Sequence, residues 1–61
     1  MPSYEWLVHF PGDQATDLGV HQEIPHAGAE IVAGWVVTVC TIVQRQARRD
    51  RVDVWVAAKG R

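Results

Sequence analysis

The sequence predicts an all-β fold: a small five-stranded antiparallel meander, curled into an SH3-like or related partly open barrel. Three observations carry this. Tyr4, Trp6, Val8 and Phe10 alternate with Glu5, Leu7 and His9, a period of two residues. From Val36 to Val43 every residue except Cys40 is β-branched. Turn-forming residues cut the chain at short intervals, at Pro11-Gly12-Asp13, Pro25, His26-Ala27-Gly28 and Ala33-Gly34.

Taken in order, Tyr4 to Phe10 reads as the first strand, with its aromatic face buried, and Pro11-Gly12-Asp13 ends it. Gln14 to Asp17 reads as polar loop. Leu18, Val20 and Ile24 share one parity of a second strand, with Gly19, His21 and Glu23 on the other. Pro25 stops that strand because it has no N–H for the ladder. Glu30 to Val32 is a short third strand and Ala33-Gly34 a tight connection.

Trp35 to Gln44 is the strongest element. Its β-branched side chains lose χ1 freedom in a helix and suit a pleated strand, which sets aside a helix from Ala29 to Arg49. Arg51 to Ala58 is the fifth strand, with Val52, Val54 and Val56 on one side and Asp53 and Trp55 on the other. The six residues between the last two strands are too few for a parallel crossover, so the pair should be an antiparallel hairpin.

The 61 residues allow a single domain, 1–61. A core of this size supplies only about 3–5 kcal/mol. Cys40 is the sole cysteine, so no internal disulfide can help, and a reducing, cytoplasmic setting is expected. A metal or a second subunit would be the remaining support. The opening Met-Pro-Ser-Tyr-Glu has neither a basic nor an apolar leader region, so no secretory leader is expected. Ile31 to Val43, broken by Gly34, Thr38 and Thr41, is shorter than the ~20 residues of a spanning helix, so no membrane insertion is expected.

Charge is unevenly distributed. Residues 1–44 carry five acids and no Lys or Arg, a net −5; residues 45–61 carry +4, leaving −1 overall. Such a split suits an anionic partner or two copies packing against each other.

The fourth strand is apolar on both parities: Trp35, Val37, Val39 and Val43 on one, Val36, Cys40 and Ile42 on the other. A half-buried strand should keep a wet side. Either a β-bulge exchanges the inward face midway, or another chain covers the second face. With Trp55 as an exposed aromatic anchor, this makes Trp35, Val36, Cys40, Ile42 and Trp55 the candidate interface. The leading expectation is a non-catalytic interaction or structural module that self-associates, with a homo-oligomer or another protein as partner.

The second expectation is a nucleic-acid or phosphate-binding β-barrel. It would use Arg45, Arg48, Arg49 and Arg51 at the hairpin tip, with Trp35 and Trp55 on the adjoining strands for base stacking. Against it, the sequence pI is about 6.2, where nucleic-acid domains usually exceed ~9. The plainer reading is a solvated loop whose arginines pair with the acidic first half.

His9, His21 and His26 are minor candidates for a structural metal site, with Cys40 as a further ligand. No pair has finger-like spacing, and His9 and His21 fall opposite the apolar parities, as surface residues do. Cys40 as a nucleophile would sit among valines, which blunts a thiol. Asp13 and Asp17 lack the spacing of a calcium loop. The glycines are scattered at turns and form no phosphate cradle. Neither an enzyme nor a bound cofactor is expected.

Overall fold

Alternation decides which side chains of each strand turn inward, and here the even residues of the first and last strands do so. In the computed structural model, which describes residues 2–60, β1 is Tyr4–Phe10 and β5 is Asp50–Ala58. Arg61, counted in the basic tail, lies outside the described residues. Trp6, Val8, Val52, Val54 and Val56 are buried together with Val37 as one apolar cluster, and Val8, Val52 and Val54 are fully buried. These residues lie on the two central strands and on the strand beside them, where both sheet neighbours and the concave curl exclude water.

The remaining strands are β2 (Gln14–His21), β3 (Glu30–Val32) and β4 (Trp35–Val43). The five form one curled half-barrel sheet in the order β2-β1-β5-β4-β3. β1 pairs antiparallel with β2, β5 with β4, and β4 with β3, but β1 and β5 run parallel, with Trp6 opposite Val52 and Val8 opposite Val54. The expected antiparallel meander is therefore corrected to a mixed sheet. The β4–β5 hairpin is antiparallel as its short loop requires, but local turns do not decide what β1 meets on its second edge. The sheet is a half-barrel, open as the expected partly open barrel is, because β2 and β3 are the two edges and do not touch.

The connection that produces this topology is residues 22–29. They run from the β2 edge across the concave side to the β3 edge. Trp6 Nε1 donates to the Glu23 carbonyl at 3.0 Å, and Cys40 Sγ donates to the Pro25 carbonyl at 3.6 Å. Gly28 N and the Ala29 carbonyl pair with the carbonyl and N–H of Val37. Pro25 is buried and Ile24 packs on the core, so this strap covers the concave face over Trp6, Val37 and Cys40.

Two bulges set which residues look inward. The β4–β5 register slips between Val37 and Val39, so Val37 faces the core opposite Val56 while Cys40 and Ile42 face inward opposite Val54 and Val52. That slip is the inward-face exchange the two-sided β4 pattern called for. The second bulge corrects β2. The strand begins at Gln14, in the segment expected to be loop, and ends at His21, before Glu23 and Ile24. Its register slips opposite Trp6, at Leu18-Gly19, with Gly19 at φ +82°. Only glycine takes that backbone conformation cheaply. Leu18 therefore packs toward the core while Val20 is turned out and half exposed.

Candidate functional site

The strap covers the concave face as far as Cys40 and leaves Ile42 45% exposed, whereas among the described residues no segment covers the convex face. Strand pairing arranges that face in rows. Val39 (β4), Trp55 (β5), His9 (β1) and Ala15 (β2) form one row, and Thr41, Asp53, Leu7 and Asp17 the next. Val43, Arg51, Glu5 and Val20 form a third. Val39 is 54% exposed and Trp55 39%. The Trp55 ring lies on the His9 imidazole with centroids 4.8 Å apart and planes 14° from parallel.

Asp53 is the polar centre of this face. It is buried although it points away from the core, because Leu7, Thr41, His9 and Arg51 surround it. His9 Nε2 lies 3.2 Å from Asp53 Oδ1, and one terminal guanidinium nitrogen of Arg51 donates to Oδ2 at 3.3 Å. Arg51 Nε is 3.1 Å from Oδ1 but makes no hydrogen bond, so that contact is electrostatic. A further pair, Arg45 to Glu5, closes the lower end of the face. Glu5 and Asp53 are thus matched within the chain, Asp17 on β2 stays exposed, and the large apolar side chains left exposed on this face are Trp55, Val39 and Val20.

Both sheet edges are blunted. On β2, the Asp17 carboxylate accepts from Gly19 N at 2.7 Å, and His21 Nε2 bonds the Leu18 carbonyl at 2.8 Å. Side chains thereby take up backbone groups at the bulge. β3 has only three residues, and Glu30, the first of them, accepts from Gly34 N at 2.9 Å and from Lys59 Nζ at 2.9 Å. Those bonds, the Gly34 amide first and Lys59 second, hold the Glu30 carboxyl below its ordinary pKa; Glu30 in turn raises Lys59. Short, bulged or charged edges resist strand addition.

The five interface residues expected from sequence do not form one patch. Trp35, Cys40 and Ile42 turn to the concave side, where Trp35 meets Phe10 edge-on at 5.0 Å and Cys40 meets the strap. Val36 and Trp55 turn to the convex side. Val39, His9 and Asp53 join Trp55 there, none of them in the expected interface, His9 being a candidate from sequence only as a metal ligand. Val39 could be placed only once the bulge was located, and Asp53 was visible only as a carboxylate interrupting the valines of β5.

The arginines separate into two groups. Arg51 is spent on Asp53. Arg45 holds Glu5 and also donates twice to the Arg49 carbonyl, from Nε at 3.1 Å and from a terminal nitrogen at 2.8 Å. Arg49 Nε donates to Ser3 Oγ at 3.1 Å. Arg48 is exposed and has no side-chain partner among the described residues. Ser3, Glu5, Ala47, Arg48 and Arg49 line an open cleft of about 550 Å³. The expected aromatic neighbours are not beside it: Trp35 pairs with Ala58 at the opposite end of the hairpin, and Trp55 lies midway along β5.

The histidines are dispersed. His9 is on the convex face and His26 on the exposed strap. His21, expected on the surface, is half-buried and stacks on Trp6 with centroids 3.8 Å apart, because the Gly19 bulge turns it inward. Among the described residues no three His, Cys, Asp or Glu side chains gather as metal ligands, and no helix is long and apolar enough to cross a membrane. Comparisons with models of protein families, with curated proteins and with solved structures return no match.

Proposed function

We propose that this chain is a non-catalytic, self-associating module whose convex sheet face packs against the same face of a second copy. The observation that carries the reading is the uncovered row Val39–Trp55–His9, an exposed tryptophan and valine flanking a buried, internally neutralised Asp53. Aromatic anchors of this kind supply much of the affinity in protein interfaces.

Three further points favour a second copy. A compact monomer of 6.8 kDa should expose about 4,000 Å², whereas this chain exposes 4346 Å². The excess of a few hundred square ångströms goes part of the way to the ~800 Å² per partner of a standard interface. The face is close to neutral, since His9 and Arg51 meet Asp53 and Arg45 meets Glu5. It therefore repels no copy of itself and selects no strongly charged partner. The short β3 edge and the bulge in β2 disfavour strand addition, which makes face packing the favoured route to association. It would also add the burial that a 61-residue core without a disulfide lacks.

Sedimentation velocity over a micromolar to submillimolar range tests the reading. A monomer–dimer equilibrium that Val39→Lys abolishes is the expected result. A wild-type chain that stays monomeric throughout removes the proposal.

A further inference from the structure

The cleft beneath the β4–β5 turn has a construction that self-association does not use. We propose that it binds a phosphate group carried by a small phosphorylated molecule, held by Arg48 and Arg49 with the Ser3 hydroxyl. The turn is shaped in advance. The Arg45 guanidinium is anchored on Glu5 and clasps the Arg49 carbonyl with two donors, fixing the backbone that carries Arg48 and Arg49.

Ala47, on the wall of the cleft, has φ +59°, a left-handed conformation that a residue with a Cβ rarely adopts. Strain of this kind persists where surrounding contacts hold it, and it gathers at binding sites. The donors left over match an oxyanion. Among the described residues the Arg48 guanidinium has no partner. Arg49 uses only Nε, on Ser3, which leaves both terminal nitrogens available. Paired guanidinium forks suit phosphate geometry. Glu5 also lines the cleft, but its charge is met by Arg45.

The occupant follows from what surrounds the cleft. A nucleic-acid strand needs a basic track and aromatic platforms for its bases. Here Arg51 is paired with Asp53, and Trp35 and Trp55 lie away from the turn. The volume suits a small molecule.

The test is an NMR titration of the full chain with inorganic phosphate, with glycerol phosphate and with a single-stranded oligonucleotide, at constant ionic strength against chloride. Saturable shifts confined to Ser3, Ala47, Arg48 and Arg49 are expected with the two small phosphates. Arg48→Ala and Arg49→Ala should each weaken binding about tenfold, as loss of a charge-assisted hydrogen bond does. Two results overturn the proposal: a response no larger than that to chloride at roughly 20 mM ligand, or tighter binding of the oligonucleotide with shifts spreading along β1 and β5. Trp55→Ala should leave phosphate binding unchanged, so failure of this site and failure of the self-association reading are told apart. Amide spectra of each variant, matching wild type away from the cleft, establish that it is folded.

Discussion

Trp55→Ala is the most direct test of the convex face, and the structure sets its size. A tryptophan side chain buries up to ~250 Å², so 39% exposure leaves roughly 100 Å² of Trp55 in contact with water. Covering that area at ~25 cal/mol per Å² is worth about 2.5 kcal/mol per copy. A twofold dimer uses it twice, so the ceiling is about 5 kcal/mol. Incomplete coverage and the ordering of side chains remove part of this; with about half retained, the dissociation constant should rise roughly 50- to 100-fold. The monomer loses little, because Trp55 rests mainly on His9 rather than in the core, and such a ring pair is worth ~0.5–1.5 kcal/mol. Sedimentation equilibrium gives the constant, and urea unfolding of dilute protein gives the monomer's own stability. A variant that dimerises as tightly as wild type would refute the assignment of the face. So would one that loses dimerisation only because it has unfolded, since the face would then be part of the core.

Other substitutions probe the frame that holds the two surfaces. Val54→Ala empties a fully buried position on the central strand and should cost about 2 kcal/mol, a large share of a 61-residue domain's stability, read as a lower urea midpoint. Ala47→Gly releases the left-handed strain at φ +59° and, after glycine's greater chain entropy, should gain about 0.5 kcal/mol, seen as a melting point a few degrees higher. Glu30 has its folded pKa depressed, so its contribution is full above the unfolded value and fades as pH falls through the folded one. Lys59 is raised, so its contribution is full below the unfolded value and fades as pH climbs through the folded one. Because the Gly34 amide is the larger cause, Lys59→Ala should leave the Glu30 carboxyl still depressed in a carbon-detected NMR titration. A return to the ordinary value would show that Lys59 alone was responsible.

Strand content was legible from local chemistry, and strand partners were not. β1 and β3 follow from alternation and from the turn residues beside them, and β4 from a β-branched run that no helix would favour. The parallel β1–β5 pair depends instead on a contact between residues more than forty positions apart, and the segment that allows it, 22–29, reads as ordinary turn. In sequence Pro25 reads as a strand stop, whereas in the fold it is a buried part of the strap. The bulges were the other obstacle. One extra residue exchanges faces for everything beyond it. Gly19 thereby sent Val20 out and His21 in, and the β4 slip put Val39 beside Trp55. Trp55 itself was legible as an exposed aromatic because β5 is regular.

The uneven charge of the chain has an origin in this topology. A chain whose first 44 residues are acidic and whose last 17 are basic would repel itself within each half if the halves folded apart. The parallel pairing sets the two halves side by side at the centre of the sheet, and three of the four close pairs join one half to the other, while Arg51–Asp53 lies within the basic half. Glu5 meets Arg45, His9 and Asp53 meet across β1 and β5, and Glu30 meets Lys59. Exposed pairs are individually worth ~0–1 kcal/mol, so these add modestly to the strand pairing that already joins the two halves. Asp13, Asp17 and Glu23 on one side, and Arg48 and Arg49 on the other, take no part in these pairs. The two arginines stand together on the strained turn, and that leaves the cleft as the concentrated positive feature of a face that is otherwise balanced.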